Sequence, residues 1–176
     1  PNSSTWADPN RAGGYGWGQL SHALAALFFV TSLEPVSVFA RTVNSKTGAD
    51  YYDSAIISFG NGASAVLSGA AGLPKHCPPQ LDLKIYGSEG MMLLDVESER
   101  ERLQIRRFDK KDIFIQIEKN GGFGSYSTQE SMNRFIDICR GKSRRNCGNH
   151  EVGLKTVQVL EALYKSANSK ETIICN

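Results

Sequence analysis

Cysteine and histidine are scarce in this chain, neither charge sign dominates, and no hydrophobic run is long. The four cysteines, at 77, 139, 147 and 175, show neither C-x-x-C spacing nor the density of a disulfide scaffold, so reduced thiols in the cytoplasm are the expectation. Cys139, Cys147 and His150 offer three potential zinc ligands, but a structural site takes four ligands from paired motifs, and no metal is expected. A formal charge of +2, from 20 basic and 18 acidic residues, gives little reason to expect a nucleic-acid surface. The one basic cluster, RGKSRRN at 140–146, has no interleaved aromatics for stacking bases. The longest apolar stretch, Ala23 to Val30, is far short of a membrane span, and the polar opening PNSSTWADP is unlike a secretory signal. No G-x-G-x-x-G follows a strand pattern, so a phosphate cradle is not expected within the chain.

What is present is organised around Arg11 to Leu33, RAGGYGWGQLSHALAALFFVTSL. A glycine-rich run with two large aromatics passes into a segment with Leu20, Leu24, Leu27 and Phe28 at the spacing of one helical face. Gln19 and His22 lie three apart, on a shared side that is not this stripe. A polar pair at a helix start, beside glycines that permit close approach, is the pattern of a small-molecule site.

The 176 residues suit one domain, read as 1–176. The polar lead-in without an initiator methionine predicts that something precedes it. A helix is expected over roughly Gly18 to Ser32, ended by Glu34-Pro35. Strands are expected at Val36 to Val43, Asp53 to Phe59, Ala63 to Ser68, Leu81 to Tyr86, Met91 to Val96, Leu103 to Phe108 and Ile113 to Ile117, with Thr172 to Ile174 as an edge strand or a packing segment. Gly60-Asn61-Gly62 reads as a hairpin turn, and Gly87-Ser88-Glu89-Gly90 as another. Two late helices follow. Thr128 to Arg140 places Met132, Phe135, Ile136 and Cys139 on an expected core face, and Glu151 to Ala167 does so with Leu154, Val157, Leu160 and Leu163 or Tyr164. The fold class is α+β: one open, mainly antiparallel or mixed sheet of six or seven strands with helices on one face. The other face is expected to serve self-association.

The run AGGYGWGQLSH resembles the glycine-rich segment leading to the helix histidine in the C-terminal domain of the glucose-fructose oxidoreductase and inositol dehydrogenase family, Gfo/Idh/MocA. TWADP, FGNGASAVLSGA, IYGSEGMMLLD, the Phe135 helix and EVGLKTVQVLEALYKSA extend the likeness in order over almost the whole chain. The resemblance implies the C-terminal, substrate-binding and oligomerisation domain of an NAD(P)-dependent oxidoreductase acting on a sugar, cyclitol or related polyol. It also implies that the Rossmann domain and the family's catalytic lysine lie outside this chain, so that it binds no NAD or NADP and is inactive alone. A homodimer or tetramer through the open sheet face is expected. Two departures stand out: Gly18 occupies the place of an aspartate four residues before the histidine, and Ala7 that of an arginine after the tryptophan. They leave open a non-catalytic binding or assembly module of the same fold.

Oxidising an alcohol needs a base for the hydroxyl proton, and histidine suits this near neutral pH. A helix N-terminus would disfavour the imidazolium, so His22 is the candidate catalytic residue, with a structural core histidine as the other reading. Gln19, Trp17, Tyr15 and Arg11 are candidate substrate contacts, since aromatic faces stack on sugar rings and arginine donates several hydrogen bonds. Packing of the aromatics against the sheet accounts for them equally. His76 and Cys77, in a proline-flanked loop, read as an exposed connector.

Overall fold

The structure, a computed structural model, describes residues 5–11, 13–74, 76–77, 81–95, 102–116, 128–142 and 148–176. They form two compact units, Pro1–Leu73 with Gly148–Asn176, and Pro74–Cys147.

In the first unit the chain makes a short 3-10 turn, Pro9–Arg11, then one π-helical turn, Gly16–Leu20, running directly into α1, Ser21–Val30. The Ser21 N–H reaches back to the Gly16 carbonyl, five residues away, the hydrogen bond of a π turn. Strands β1 (Pro35–Asn44), β2 (Asp50–Phe59) and β3 (Ser64–Ala70) follow as an antiparallel meander, and β8 (Ile173–Ile174) closes the sheet beside β1 in the order β3-β2-β1-β8. Helix α3, His150–Ser169, packs across β1 and against α1. Asn149 caps it, its side-chain oxygen accepting from the Val152 N–H at 3.0 Å, and Lys170 ends it in the left-handed region.

Alternation along β2 sends Asp53, Ala55, Ile57 and Phe59 to the helix side, where they meet the stripe Leu20, Leu24, Leu27 and Phe28. Val38, Val159, Leu160 and Leu163 complete this core. Each fully buried side chain of this kind contributes roughly 1.5–3 kcal/mol. Because β8 is two residues long, it pairs with Ser37 and Val38 alone, and the Ala40 N–H is left without a strand partner. The Ser166 hydroxyl supplies it, accepting from Ala40 at 2.9 Å and donating to the Glu171 carbonyl. On the opposite face, Phe39, Ile56 and Val66 stand in cross-strand register, with Ile56 53% and Val66 82% exposed.

The second unit holds a separate antiparallel meander, β4 (Asp82–Gly87), β5 (Gly90–Asp95), β6 (Arg102–Arg107) and β7 (Ile113–Gln116), and helix α2, Thr128–Cys139. Register lines up Leu83, Leu94, Leu103 and Ile115, then Ile85, Met92, Ile105 and Ile113, on one apolar face. Arg106 to Asp112 and Arg107 to Asp109 ion pairs close the β6–β7 turn.

The α+β class and antiparallel pairing match expectation; the single sheet of six or seven strands does not, because among the described residues eight strands divide into two sheets of four. Alternation reveals which face a residue takes, but not which strand lies beside it, and the Gly- and Pro-rich stretch after β3 separates the two sheets. The expected core face of α2 is also corrected: Met132 and Phe135 are exposed, as is Cys139. In α3 the buried face runs through Thr156, Val159, Leu160, Leu163 and Ser166, leaving Leu154 and Val157 exposed. Ile117, Val96 and Cys147 lie outside the described residues. Among the described residues no helix is long and apolar enough to cross a membrane, which says nothing of membrane strands.

Candidate functional site

The helix bearing Gln19 and His22 begins at Tyr15, seven positions before His22, rather than at the polar pair. Its first free N–H groups are claimed by side chains from the sheet and from α3. The Gly16 N–H donates to Asp50 Oδ2 at 2.7 Å, and the Trp17 N–H to the Tyr164 hydroxyl at 3.2 Å. That hydroxyl in turn donates to Asp50 Oδ1 at 2.8 Å. A buried carboxylate thus sits at the positive end of the helix, where both its hydrogen bonds and its charge are favourable. Gly14 permits this approach: its φ is +121°, and a Cβ there would lie 1.9 Å from Asp50 Oδ1.

Asp53, on the same side of β2, is 4% exposed, and neither carboxyl oxygen has a hydrogen-bond partner. Burial pushes its pKa up to about 8, and the neighbouring Asp50 carboxylate pushes the same way. Burial, with Asp50 alongside, also raises the pKa of Tyr164, which remains a neutral donor.

Each candidate contact can now be placed. Gln19 and His22 are exposed on the helix surface, away from the buried leucine stripe. Trp17 is half-buried, its ring stacked on Tyr164 with centroids 5.7 Å apart. Tyr15 is half-buried over Gly69, where a Cβ would come within 2.3 Å of its ring. Arg11 is exposed at the end of the 3-10 turn. One contiguous stretch therefore carries all five: Trp17 is drawn into the anchor with Asp50 and Tyr164 and Tyr15 lies over Gly69, while Arg11, Gln19 and His22 stay outward.

Three participants escaped the sequence reading. Asp50 and Asp53 flank an irregular step in β2 pairing, between Val43 and Asn44 on the partner strand, and an acid at an inward strand position was the available signal for Asp53. Trp6, 55% exposed, lies over Gly18, where a Cβ would be 2.0 Å from its ring. A side chain at 18 has no room while Trp6 is there, which accounts for the glycine at this position.

An open concavity of about 490 Å³ is lined by Asn133, Arg134, Ile136 and Asp137 of α2 and by Arg140 just after it, and none of the candidate contacts is among its lining residues. Among the described residues no group of three or more His, Cys, Asp or Glu is placed to hold a metal. His76 and Cys77 are exposed.

The profile of the GFO/IDH/MocA C-terminal domain matches residues 1–93. No curated protein matches the chain. Among solved structures, a Thermotoga maritima protein classed as an oxidoreductase is similar over 96% of this chain and 49% of its own, at 19% identity and a TM-score of 0.74. UDP-N-acetylglucosamine 3-dehydrogenase GnnA from Acidithiobacillus ferrooxidans is similar over 88% and 47%, at 16% identity and 0.70. The WlbA dehydrogenase from Bordetella pertussis, solved with NADH and UDP-GlcNAcA, is similar over 93% and 46%, at 19% identity and 0.67. The chain spans about half the length of these structures, and likeness at such identities shows a shared fold. With the profile matched over more than half of its residues, the chain belongs to the Gfo/Idh/MocA C-terminal domain family.

Proposed function

We propose that this chain is the substrate-binding and assembly domain of a cytoplasmic NAD(P)-dependent oxidoreductase acting on a sugar, cyclitol or related polyol. The observation that carries this reading is the exposed Gln19–His22 pair on a helix anchored by Asp50 and Tyr164, within a chain of this family. A dinucleotide does not fit the chain's own glycine run, because the N–H groups a pyrophosphate would use are engaged and Asp50 would repel it. The nicotinamide, which accepts hydride, is therefore assigned to another part of the full-length protein. His22 takes the proton of the substrate hydroxyl, and the Gln19 amide donates to and accepts from neighbouring hydroxyls.

The in-register row Phe39, Ile56 and Val66 supports a homodimer or tetramer through the outer face of the first sheet. Light scattering that gives a monomer at high micromolar concentration would remove this part. Described cysteines 77, 139 and 175 are unpaired, in keeping with a reducing compartment.

The deciding experiment measures turnover by the full-length protein and by His22→Ala on a panel of sugars and polyols. Loss of about 100-fold in kcat fits a general base, whereas an unchanged rate takes His22 out of the chemistry. A second reading, a non-catalytic binding module of the same fold, is favoured by Gly18, since no acid at that position orients His22. Full-length protein that binds a sugar without turnover of any panel member would establish it.

A further inference from the structure

Trp6 is the large aromatic beside the π turn that packing does not consume. Trp17 is stacked on Tyr164 and Tyr15 is lodged over Gly69, but Trp6 keeps more than half of its surface exposed. A tryptophan so exposed is unusual, since its large apolar surface is normally well covered. Its ring occupies the space above Gly18 in which a side chain would otherwise stand. Position 18 is four residues before His22 in a continuous helix, so the two share a face. Helical side chains also lean toward the N-terminus, over the preceding turn, which directs the His22 imidazole toward the turn that Trp6 covers. Gln19 is the next residue along.

Resting on the reading that His22 and Gln19 contact substrate, we propose that Trp6 is a substrate-binding residue: its exposed face is the platform on which the C–H face of a pyranose or cyclitol ring stacks beside His22. Trp6 and Gly18 are then two parts of one exchange. A flat apolar surface stands where the family commonly has a carboxylate, and the neighbourhood of His22 recognises ring C–H groups in place of a hydroxyl edge.

The test uses the full-length protein and three probes: D-glucose, myo-inositol and UDP-N-acetylglucosamine. Trp6 and Trp17 are the only tryptophans of this chain, so Trp17→Phe, which retains a ring on Tyr164, leaves Trp6 as its one indole, and the emission change that is lost in Trp6→Phe is the signal of Trp6. At least one probe is expected to change Trp6 emission saturably and to shift the His22 imidazole resonances with the same Kd. Trp6→Ala should weaken that Kd about tenfold, the size of a stacking contact, and Trp6→Phe should restore most of it. Gly18→Ala, which displaces the ring, should weaken binding as Trp6→Ala does. Because Trp6 is exposed, its unfolding midpoint in urea should be near wild type, which separates lost binding from lost fold. If His22 titrates with an unchanged Kd in Trp6→Ala, the platform is overturned and the His22 reading stands. If no probe moves either residue, both are overturned.

Discussion

The Tyr164 hydroxyl donates to Asp50 Oδ1 at 2.8 Å while accepting from the Trp17 N–H, joining residues 114 positions apart into the cap of the helix that carries His22. Tyr164→Phe retains the ring stacked on Trp17 and deletes both hydrogen bonds. It should cost about 1–2 kcal/mol in urea unfolding. Amide hydrogen exchange at Trp17 should accelerate by more than this global loss accounts for, because its donor has no other partner.

Asp53 sets a pH dependence. Its carboxyl has an ordinary pKa of 3.8 and is raised to about 8 in the folded chain, so between these values the folded state holds a proton that the unfolded state has lost. Stability must therefore fall as pH rises from about 4 to about 8, at up to about 1.4 kcal/mol per pH unit. Asp53→Asn, which has no proton to lose, should flatten this slope and be the more stable protein at pH near 8. Urea midpoints at both ends of the window check it, and a slope retained in the variant would assign the effect elsewhere.

Gly69 stands opposite Asp53 in the β2–β3 register and lies beneath the Tyr15 ring. An added methyl would meet Tyr15 at 2.3 Å and Leu20 at 2.7 Å, in a region walled by the core. Gly69→Ala should destabilise by about 1–3 kcal/mol through overpacking. Thermal unfolding checks this, and the smaller, ringless side chain of Tyr15→Leu should return part of the loss in the double variant.

Ser166 completes the sheet where β8 runs out. Ser166→Ala removes the acceptor for the Ala40 N–H and the donor to the Glu171 carbonyl, and Ser166 itself is wholly buried. A loss of about 1–3 kcal/mol is expected, with faster exchange at Ala40 as the local signature.

These four residues show where sequence reading succeeds and where it stops. Leu20, Leu24, Leu27 and Phe28 announce their shared face by spacing, and all four are buried. The strand segments and the Gly60-Asn61-Gly62 turn are equally local and are found where alternation and turn chemistry put them. Which strands pair is a long-range matter, and alternation carries no information about it. The same limit explains α2, whose apolar period is real while Met132 and Phe135 remain exposed. Gln19 and His22 could be placed on an outward helix side from spacing alone. Asp50 could not be recognised as their support, because its partners come from the start of the chain and from α3.

The π turn at Gly16–Leu20 holds one residue more than an α-helical turn would need to reach the same point. Removing a single residue from that turn therefore lets it tighten to α-helix while everything beyond keeps its orientation. A deletion at 18 or 19 should spare Leu24 and Phe28 their places in the core, whereas the same deletion between Ala23 and Ala26 would rotate the stripe by about 100° and expel it. The widened turn is thus the place where this helix tolerates a change in chain length.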